Sequence, residues 1–114
     1  MAVTALGSGT KTAEIGVEHV LQKVAEAGVY TFHVDTNAMA AGDTLELRIY
    51  QMVLTAGTAR VAYFQNFQGA QVSDDLIKIS VPISNELTDS EALKMTLKQT
   101  TGTGRAYPWK VLKH

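Results

Sequence analysis

Apolar and polar residues alternate along most of this chain with a period of two. In residues 29–35, VYTFHVD, the side chains of Tyr30, Phe32 and Val34 share one face. The same alternation recurs at residues 44–54, 59–67, 76–83, 92–99 and 106–113. Successive side chains of a β-strand point to opposite faces of its sheet, so this period is typical of strands with one buried face. The chain is therefore predicted to be all-β.

Turn-forming residues separate these stretches. Gly, Asp, Asn and Ser cluster between them, in segments such as MAAGD, TAGT and NELTDSE. Short strands spaced in this way are typical of antiparallel sandwiches and barrels. Residues 17–24, VEHVLQKV, are compatible with a helical stripe as well as with a strand, and their β-branched side chains favour the strand. We predict an antiparallel β-sandwich, jelly-roll-like, with about seven to eight strands.

Two further expectations concern the faces and edges of the strands. In residues 76–83, LIKISVPI, the side chains of Ile77, Ile79, Val81 and Ile83 share one face, which the period predicts to be buried. Pro82 and Pro108 also fall within strand patterns. Proline cannot donate a hydrogen bond to a neighbouring strand, so each is predicted at a sheet edge or a bulge.

The length of 114 residues indicates one domain with a single core. Residues 1–12, MAVTALGSGTKT, are interpreted as a flexible N-terminal arm, and residues 13–114 as a single β-sandwich domain. The absence of cysteine removes disulfides, thiolate metal ligands and cysteine nucleophiles. No apolar run approaches the roughly 18 residues of a membrane span, and the start of the chain lacks the pattern of a secretory signal.

Charge is sparse and unevenly distributed. Charged residues make up 18% of the chain, and a low-charge surface is expected where much of it faces another protein. The net charge of −1 gives no electrostatic attraction to nucleic acid. Residues 92–114 hold basic residues and no acidic ones: Lys94, Lys98, Arg105, Lys110 and Lys113. This segment suits contacts between copies or an acidic partner, and equally a solvated face.

The segment 100–105, TTGTGR, raises the question of a phosphate site. A P-loop needs G-x-x-x-x-G-K-[ST] before a helix, whereas Gly102 and Gly104 are two residues apart and a strand-like stretch follows. We predict a hairpin turn instead. This hairpin places six side chains in one core, namely Leu93, Met95, Leu97, Tyr107, Trp109 and Val111. Its opposite face gathers Lys94, Lys98 and Lys110, with Arg105 near the tip.

The spacing of polar residues indicates no catalytic or metal-binding constellation. His33 and Asp35 share a strand face about 6.5 Å apart, but a metal needs at least three converging ligands. The serines lie in no nucleophile-elbow context. Asp74 and Asp75 lack the alternating spacing of a dedicated calcium loop. We predict no catalytic residue, no cofactor and no metal site, and an enzyme is the least favoured class.

Candidate interface residues come from two groups. Tyr50 and Phe64 are out of phase with the apolar faces, and with Met52 and Leu54 they are predicted to form an exposed apolar patch for a subunit contact. The second group is basic: Lys94, Lys98, Arg105 and Lys110. A glycan-binding face, in which the exposed rings stack on sugars, is an alternative from a different class.

Three stretches carry a family resemblance and span most of residues 27–114. They are AGVYTFHVDTNAMAAGDTLELRIY, VLTAGTARVAYFQNF and TLKQTTGTGRAYPWKVLKH. They contain the patterns VDTxxMxxGDxLELR and LKQTxGTGRxxPWKVL. On these patterns the chain resembles small virion structural proteins of tailed bacteriophages, of the head decoration or cement type.

The resemblance implies a non-enzymatic role in binding and stabilising the assembled head lattice. The implied partners are the major capsid protein or other virion proteins, together with further copies of the chain, with a trimer favoured. The protein would be made in the host cytoplasm and act on the outer capsid surface, without membrane, cofactor or direct nucleic-acid contact. A tail or connector component is the alternative within the same class. The N-terminal arm would then lie along a neighbour as an added strand.

Overall fold

The structure, a computed structural model, describes residues 2–114. They form nine β-strands: β1 Thr4–Thr12, β2 Glu18–Val24, β3 Gly28–Asp35, β4 Thr44–Gln51, β5 Arg60–Gln68, β6 Ile77–Ile79, β7 Ile83–Asn85, β8 Leu93–Thr101 and β9 Ala106–Lys113. The all-β prediction is confirmed. The strand count is higher than predicted because residues 4–12 add one strand and residues 76–83 divide into two around Pro82.

The strands form two antiparallel sheets. Sheet I has the order β1-β9-β3, and β6 and β7 lie one after the other along the remaining edge of β3. Sheet II has the order β2-β8-β4-β5. Apolar side chains from both sheets form one core, so the molecule is the antiparallel β-sandwich that the alternation predicts.

The strand pairs are nested along the chain. The first strand pairs with the last, β2 with β8, β3 with β6 and β7, and β4 with β5. This is the pattern of one long hairpin rolled over itself, and the added pairs β3–β9 and β4–β8 close the roll. Such a rolled double sheet is a jelly roll.

The core lies between the inner faces of the two sheets. Sheet I contributes Tyr30, Phe32, Val34, Tyr107 and Val111, and sheet II contributes Val24, Leu45, Leu47, Ile49, Leu93, Met95 and Leu97. Full burial of such a side chain contributes about 1.5–3 kcal/mol relative to exposure. Removal of every second side chain from water therefore stabilises strands with an alternating sequence.

The segment interpreted as an N-terminal arm contains the first strand. From Thr4 opposite Lys113 to Thr12 opposite Ala106, β1 pairs with β9 and forms an edge of sheet I. Gly9 lies beside the indole of Trp109, which a Cβ at this glycine would contact at 3.4 Å. The sandwich thus extends to Thr4 instead of beginning at residue 13, and Met1 lies outside the described residues. Flexibility of this segment stays a prediction.

Removal of residues 1–12 is expected to destabilise the sandwich, because β9 would lose one of its two neighbours. Trp109 is the sole tryptophan, so its fluorescence emission should shift to longer wavelength, and Tm should fall by at least about 5 °C. Removal of residues 1–3, which precede β1, is the matched control and should change neither value. An unchanged Tm after removal of residues 1–12 would mean that the segment behaves as a detached arm.

Candidate functional site

The segment 100–105 is a crossing between the sheets. β8 lies in sheet II and β9 in sheet I, and the two strands do not pair. The predicted hairpin is therefore wrong. The predicted shared core is confirmed, because the inner faces of the two sheets meet and Trp109 packs against the same cluster at its margin.

A buried carboxylate organises this crossing. Asp43, just before β4, accepts hydrogen bonds from the N–H of Ala40 at 2.9 Å and the N–H of Thr103 at 3.2 Å. Arg105 Nε donates at 2.8 Å to Oδ2, the oxygen that also accepts from Ala40, while Thr103 donates to Oδ1. Burial alone would raise the pKa of Asp43, but these hydrogen bonds and the charge of Arg105 hold the pKa below its ordinary value. The carboxylate is ionised and fully partnered at neutral pH.

Gln99 completes this cluster from β8. Its amide nitrogen donates to the carbonyl oxygens of Thr101 at 2.9 Å and Thr103 at 2.7 Å. Its Oε1 accepts from the N–H of Arg105 at 3.2 Å and from the hydroxyl of Tyr107 at 2.9 Å. One buried amide thus fixes the course of the crossing segment, because it uses both its donor and its acceptor on that segment and on β9.

The crossing segment has no room for a phosphate. A Cβ at Gly102, whose φ is +87°, would overlap the Asp43 carboxylate, and a Cβ at Gly104 would overlap the carbonyl oxygen of Ala13. An anion beside Gly102 would face the negative charge of Asp43. Burial and the charge of Asp43 raise the pKa of Tyr107 to about 12, so this hydroxyl remains a neutral donor. The glycines serve close packing.

Four of the predicted interface residues share the outer face of sheet II: Tyr50, Phe64, Lys94 and Lys98. The hydroxyl of Tyr50 donates to Glu18 at 2.7 Å, and Lys94 Nζ lies 4.8 Å from the centre of the Tyr50 ring. Thr96 donates to the same carboxylate oxygen at 2.7 Å. Partial burial raises the pKa of Glu18, but these two hydrogen bonds and nearby positive charges lower it overall.

The Phe64 ring is partly covered by a side chain of the same sheet. The Arg48 guanidinium lies 4.8 Å from the centre of the Phe64 ring and is 2.9 Å from Glu46. Lys98 pairs in register with both Glu18 and Glu46. The outer face of sheet II is therefore a network of alternating charge, in which the exposed rings already stack on cations.

The remaining apolar candidates lie apart from this face. Met52 is buried with Leu87 and Ala92 in a small second cluster at one end of the sandwich. Leu54 stands at the tip of the β4–β5 connection with 73% of its surface exposed. The predicted four-residue patch is thus divided, and Met52 is not available at the surface.

The basic candidates do not form one face. Lys110 lies on the outer face of sheet I, opposite Ser8 and His33, whereas Lys94 and Lys98 lie on the outer face of sheet II. Arg105 is held by the buried Asp43. The predicted basic face of a terminal hairpin is wrong, because β8 and β9 belong to different sheets.

Strand β6 has inverted polarity, which the sequence interpretation missed. Ile77, Ile79 and Val81 point outward, with 50%, 57% and 55% of their surfaces exposed. Ile77 pairs with Asp35 and Ile79 with His33 on the outer face of sheet I. We refer to Ile77, Ile79 and Val81 as the apolar stripe. Contiguous exposed apolar side chains are typical of sites that bind proteins, membranes or ligands.

Polar residues take the inward positions in β6 and directly after it. Lys78 lies with its Nζ 4.9 Å from the centre of the Phe67 ring and 3.0 Å from Asp75. The hydroxyl of Ser80 accepts a hydrogen bond from the N–H of Phe32 at 2.9 Å, in place of a backbone carbonyl. Pro82 then ends the pairing until β7, at the sheet edge as predicted. The short length of the strand and its proline are the sequence signals of such an edge.

A shallow groove joins this edge to the edge of sheet II. It has a volume of about 280 Å³, and the apolar stripe lines it together with Tyr63 and Phe67 of β5. Burial raises the pKa of Tyr63. The open edges of both sheets therefore lie on the same side of the sandwich.

Polar residues beside the stripe form a compact hydrogen-bonded group. The hydroxyl of Thr31 lies 2.8 Å from Nε2 of His33 and 2.8 Å from Nε2 of His114. Burial, Lys110 and His114 lower the pKa of His33. Across residues 2–114 the structure contains no group of three or more His, Asp or Glu side chains arranged to hold a metal ion.

Comparisons with protein-family models, with curated proteins and with solved structures find no match to this chain. The described part of the chain contains no apolar helix of membrane-spanning length. A function can therefore be argued from the surfaces described above and from the two sequence patterns.

Proposed function

We propose that this protein is a non-enzymatic structural protein of a tailed-phage virion, a decoration or cement protein that binds the assembled head and stabilises its lattice. The observation that carries the proposal is the apolar stripe, which comprises Ile77 and Ile79 of β6 and Val81 just after it. Its outward side chains are large and adjacent, while the inward positions hold a lysine and a serine. This polarity is costly for an isolated monomer and favourable for a subunit that buries the stripe on a partner.

The partner that we propose is the major capsid protein or another virion protein on the outer capsid surface. The sequence patterns VDTxxMxxGDxLELR and LKQTxGTGRxxPWKVL support this choice by resemblance. In the structure these patterns contribute Asp43, Gln99, Gly102, Gly104 and Arg105 to the cluster that fixes the crossing segment. A trimer about a lattice symmetry axis remains our proposal for its assembled state.

A tail or connector position is the second proposal of the same class, and the apolar stripe suits it equally. A glycan-binding role is disfavoured by the outer face of sheet II. The Tyr50 and Phe64 rings each carry a cation at 4.8 Å, so a sugar would have to displace Lys94 or Arg48 before it could stack.

Binding to empty, expanded heads of the phage that encodes the chain tests the proposal. Wild-type protein should co-sediment to a saturable, lattice-fixed copy number. Ile79→Asp should weaken binding at least about tenfold, because it places a charge in the apolar contact. Val20→Asp is the matched control, since Val20 is 50% exposed on β2 at the far edge of sheet II.

Three outcomes separate the alternatives. Failure of the wild-type protein to co-sediment with heads would contradict the decoration role, and binding to purified tails instead would favour the second proposal. An equal loss in the Ile79→Asp and Val20→Asp variants would show that the stripe is not the contact. Circular dichroism of both variants checks that each remains folded.

A further inference from the structure

Strand β5 forms an open edge of sheet II. Within residues 2–114 it pairs with β4 alone. The eight residues after Arg60, VAYFQNFQ, include no charged residue and no proline. Native edge strands are usually guarded by lysine, proline or an inward charge, because their free N–H and C=O groups accept another strand. The edge of β5 lacks these guards.

The one irregularity of β5 lies near its start. The register with β4 runs from Ile49 opposite Tyr63 to Tyr50 opposite Val61, which leaves Ala62 without a partner. A bulge bends and twists a strand locally, so the first residues of β5 are poorly suited to pairing with a further strand. The regular part, residues 63–68, is free to pair.

We infer that β5 is the contact strand of a two-fold dimer that the free chain forms in solution, in which two copies of sheet II join into one continuous antiparallel sheet. A two-fold axis perpendicular to a sheet keeps outward side chains outward, so only registers that oppose like faces are allowed. An axis through Gln65 satisfies this condition. It places Tyr63 opposite Phe67 of the second copy on the inner face, and Phe64 opposite Asn66 of the second copy on the outer face.

The charge of this edge favours a second copy as the occupant. A contact between identical surfaces opposes like charges, and it is therefore weakened by any net charge near its axis. Between Val61 and Gln68 there is none. The charged pairs beside the strand, Glu46 with Arg48 and Asp75 with Lys78, are each neutralised internally at 2.9 and 3.0 Å. Cross-strand pairs of aromatic residues add to the backbone hydrogen bonds of the new strand pair.

The β5 side of the groove supplies area beyond that of the strand pair. A stable interface buries roughly 800 Å² on each partner, and five opposed residue pairs are a narrow contact. The stripe lines the same groove as Tyr63 and Phe67, so a second copy on β5 covers part of that groove. The dimer thereby covers Tyr63 and Phe67 on the β5 side of the groove, and the apolar stripe on the opposite side stays available to the head.

The inference rests on the proposed role as an assembly subunit, but its test uses the purified full chain alone. Analytical ultracentrifugation over a range of concentrations should give twice the 12.3 kDa chain mass for the wild type. Gln65→Glu and Gln65→Lys should each weaken the dimer at least about tenfold, because either change opposes two like charges at the axis.

A mixture of the two variants provides the decisive test. An equimolar mixture of the Gln65→Glu and Gln65→Lys proteins should recover the dimer, since opposite charges then meet. Thr10→Glu is the matched control, because Thr10 is exposed on β1, the far edge strand of sheet I. A monomeric wild type, an oligomer whose mass is unchanged in both Gln65 variants, or no recovery on mixing would overturn the inference. Loss of head binding with an intact dimer would contradict the proposed function alone, and a monomeric chain that still binds heads would contradict this inference alone.

Discussion

Replacement of Asp43 by alanine is expected to lower the free energy of unfolding by about 3 kcal/mol, as removal of one partner from a buried ion pair typically does. The change removes the acceptor of Arg105 and of the N–H groups of Ala40 and Thr103. Chemical denaturation at neutral pH measures the loss. Glu91→Ala is the control, because Glu91 pairs with Lys23 at 3.0 Å in solvent and should contribute little.

Comparison of the wild type with Asp43→Ala also tests how the free energy of unfolding depends on pH. The folded pKa of Asp43 lies below its ordinary value, so the unfolded state binds the proton more readily. Its contribution is fully present above the unfolded pKa of about 3.9 and is lost as the pH falls through the folded pKa. The difference in stability between wild type and Asp43→Ala should therefore shrink below about pH 4. A difference that stays constant into that range would contradict an ionised, partnered carboxylate.

Gly104→Ala is expected to destabilise the fold by about 3 kcal/mol, near the upper end of overpacking costs. The added Cβ would overlap the carbonyl oxygen of Ala13, and that backbone is itself held by a 2.8 Å hydrogen bond from its N–H to the carbonyl oxygen of Arg105. Neither side of the contact is the end of a flexible side chain. Thermal unfolding followed by circular dichroism measures the effect.

Gly69→Ala is the matched control for this prediction. Gly69 has a φ of +72°, and a Cβ added there would have no heavy atom within 4 Å. It therefore carries only the cost of a left-handed backbone, about 1 kcal/mol. If Gly104→Ala were as mild as Gly69→Ala, the crossing segment would be able to move away from Ala13, and the close contact would not hold it.

The periodicity of the sequence predicted most of the core, because side chains of the interior strands alternate between the inner and outer faces of their sheet. Phe32, Leu47 and Met95 are buried as their phase requires. The same rule failed for Ile79, since alternation shows which side chains share a face but not which face is inward. At the edge of a sheet the long stem of Lys78 can cover an aromatic ring while its amine reaches Asp75, so a polar residue fills an inward position.

Strand neighbours were harder to predict than strands. Leu97 and Tyr107 are close along the chain and meet in one core, which suggested a hairpin, yet they belong to opposite sheets. The separation of Lys98 from Lys110 follows directly from that error. The roles of Asp43 and Gln99 were also missed, because a hydrogen-bonded cluster assembled from distant segments leaves no periodic signal. The only trace of Asp43 and Gln99 in the sequence analysis is their presence in the two quoted patterns.

The nested pairing of the strands has a consequence for synthesis of the chain. Among the described strands, β4 and β5 alone are neighbours both along the sequence and in a sheet. Every other pair must bridge a long loop, which slows folding and lengthens the life of partly folded chains. On the ribosome β1 must wait for β9, which lies between it and β3, so sheet I closes only once residues 106–113 have emerged. A chain cut short before this point lacks the centre of a sheet.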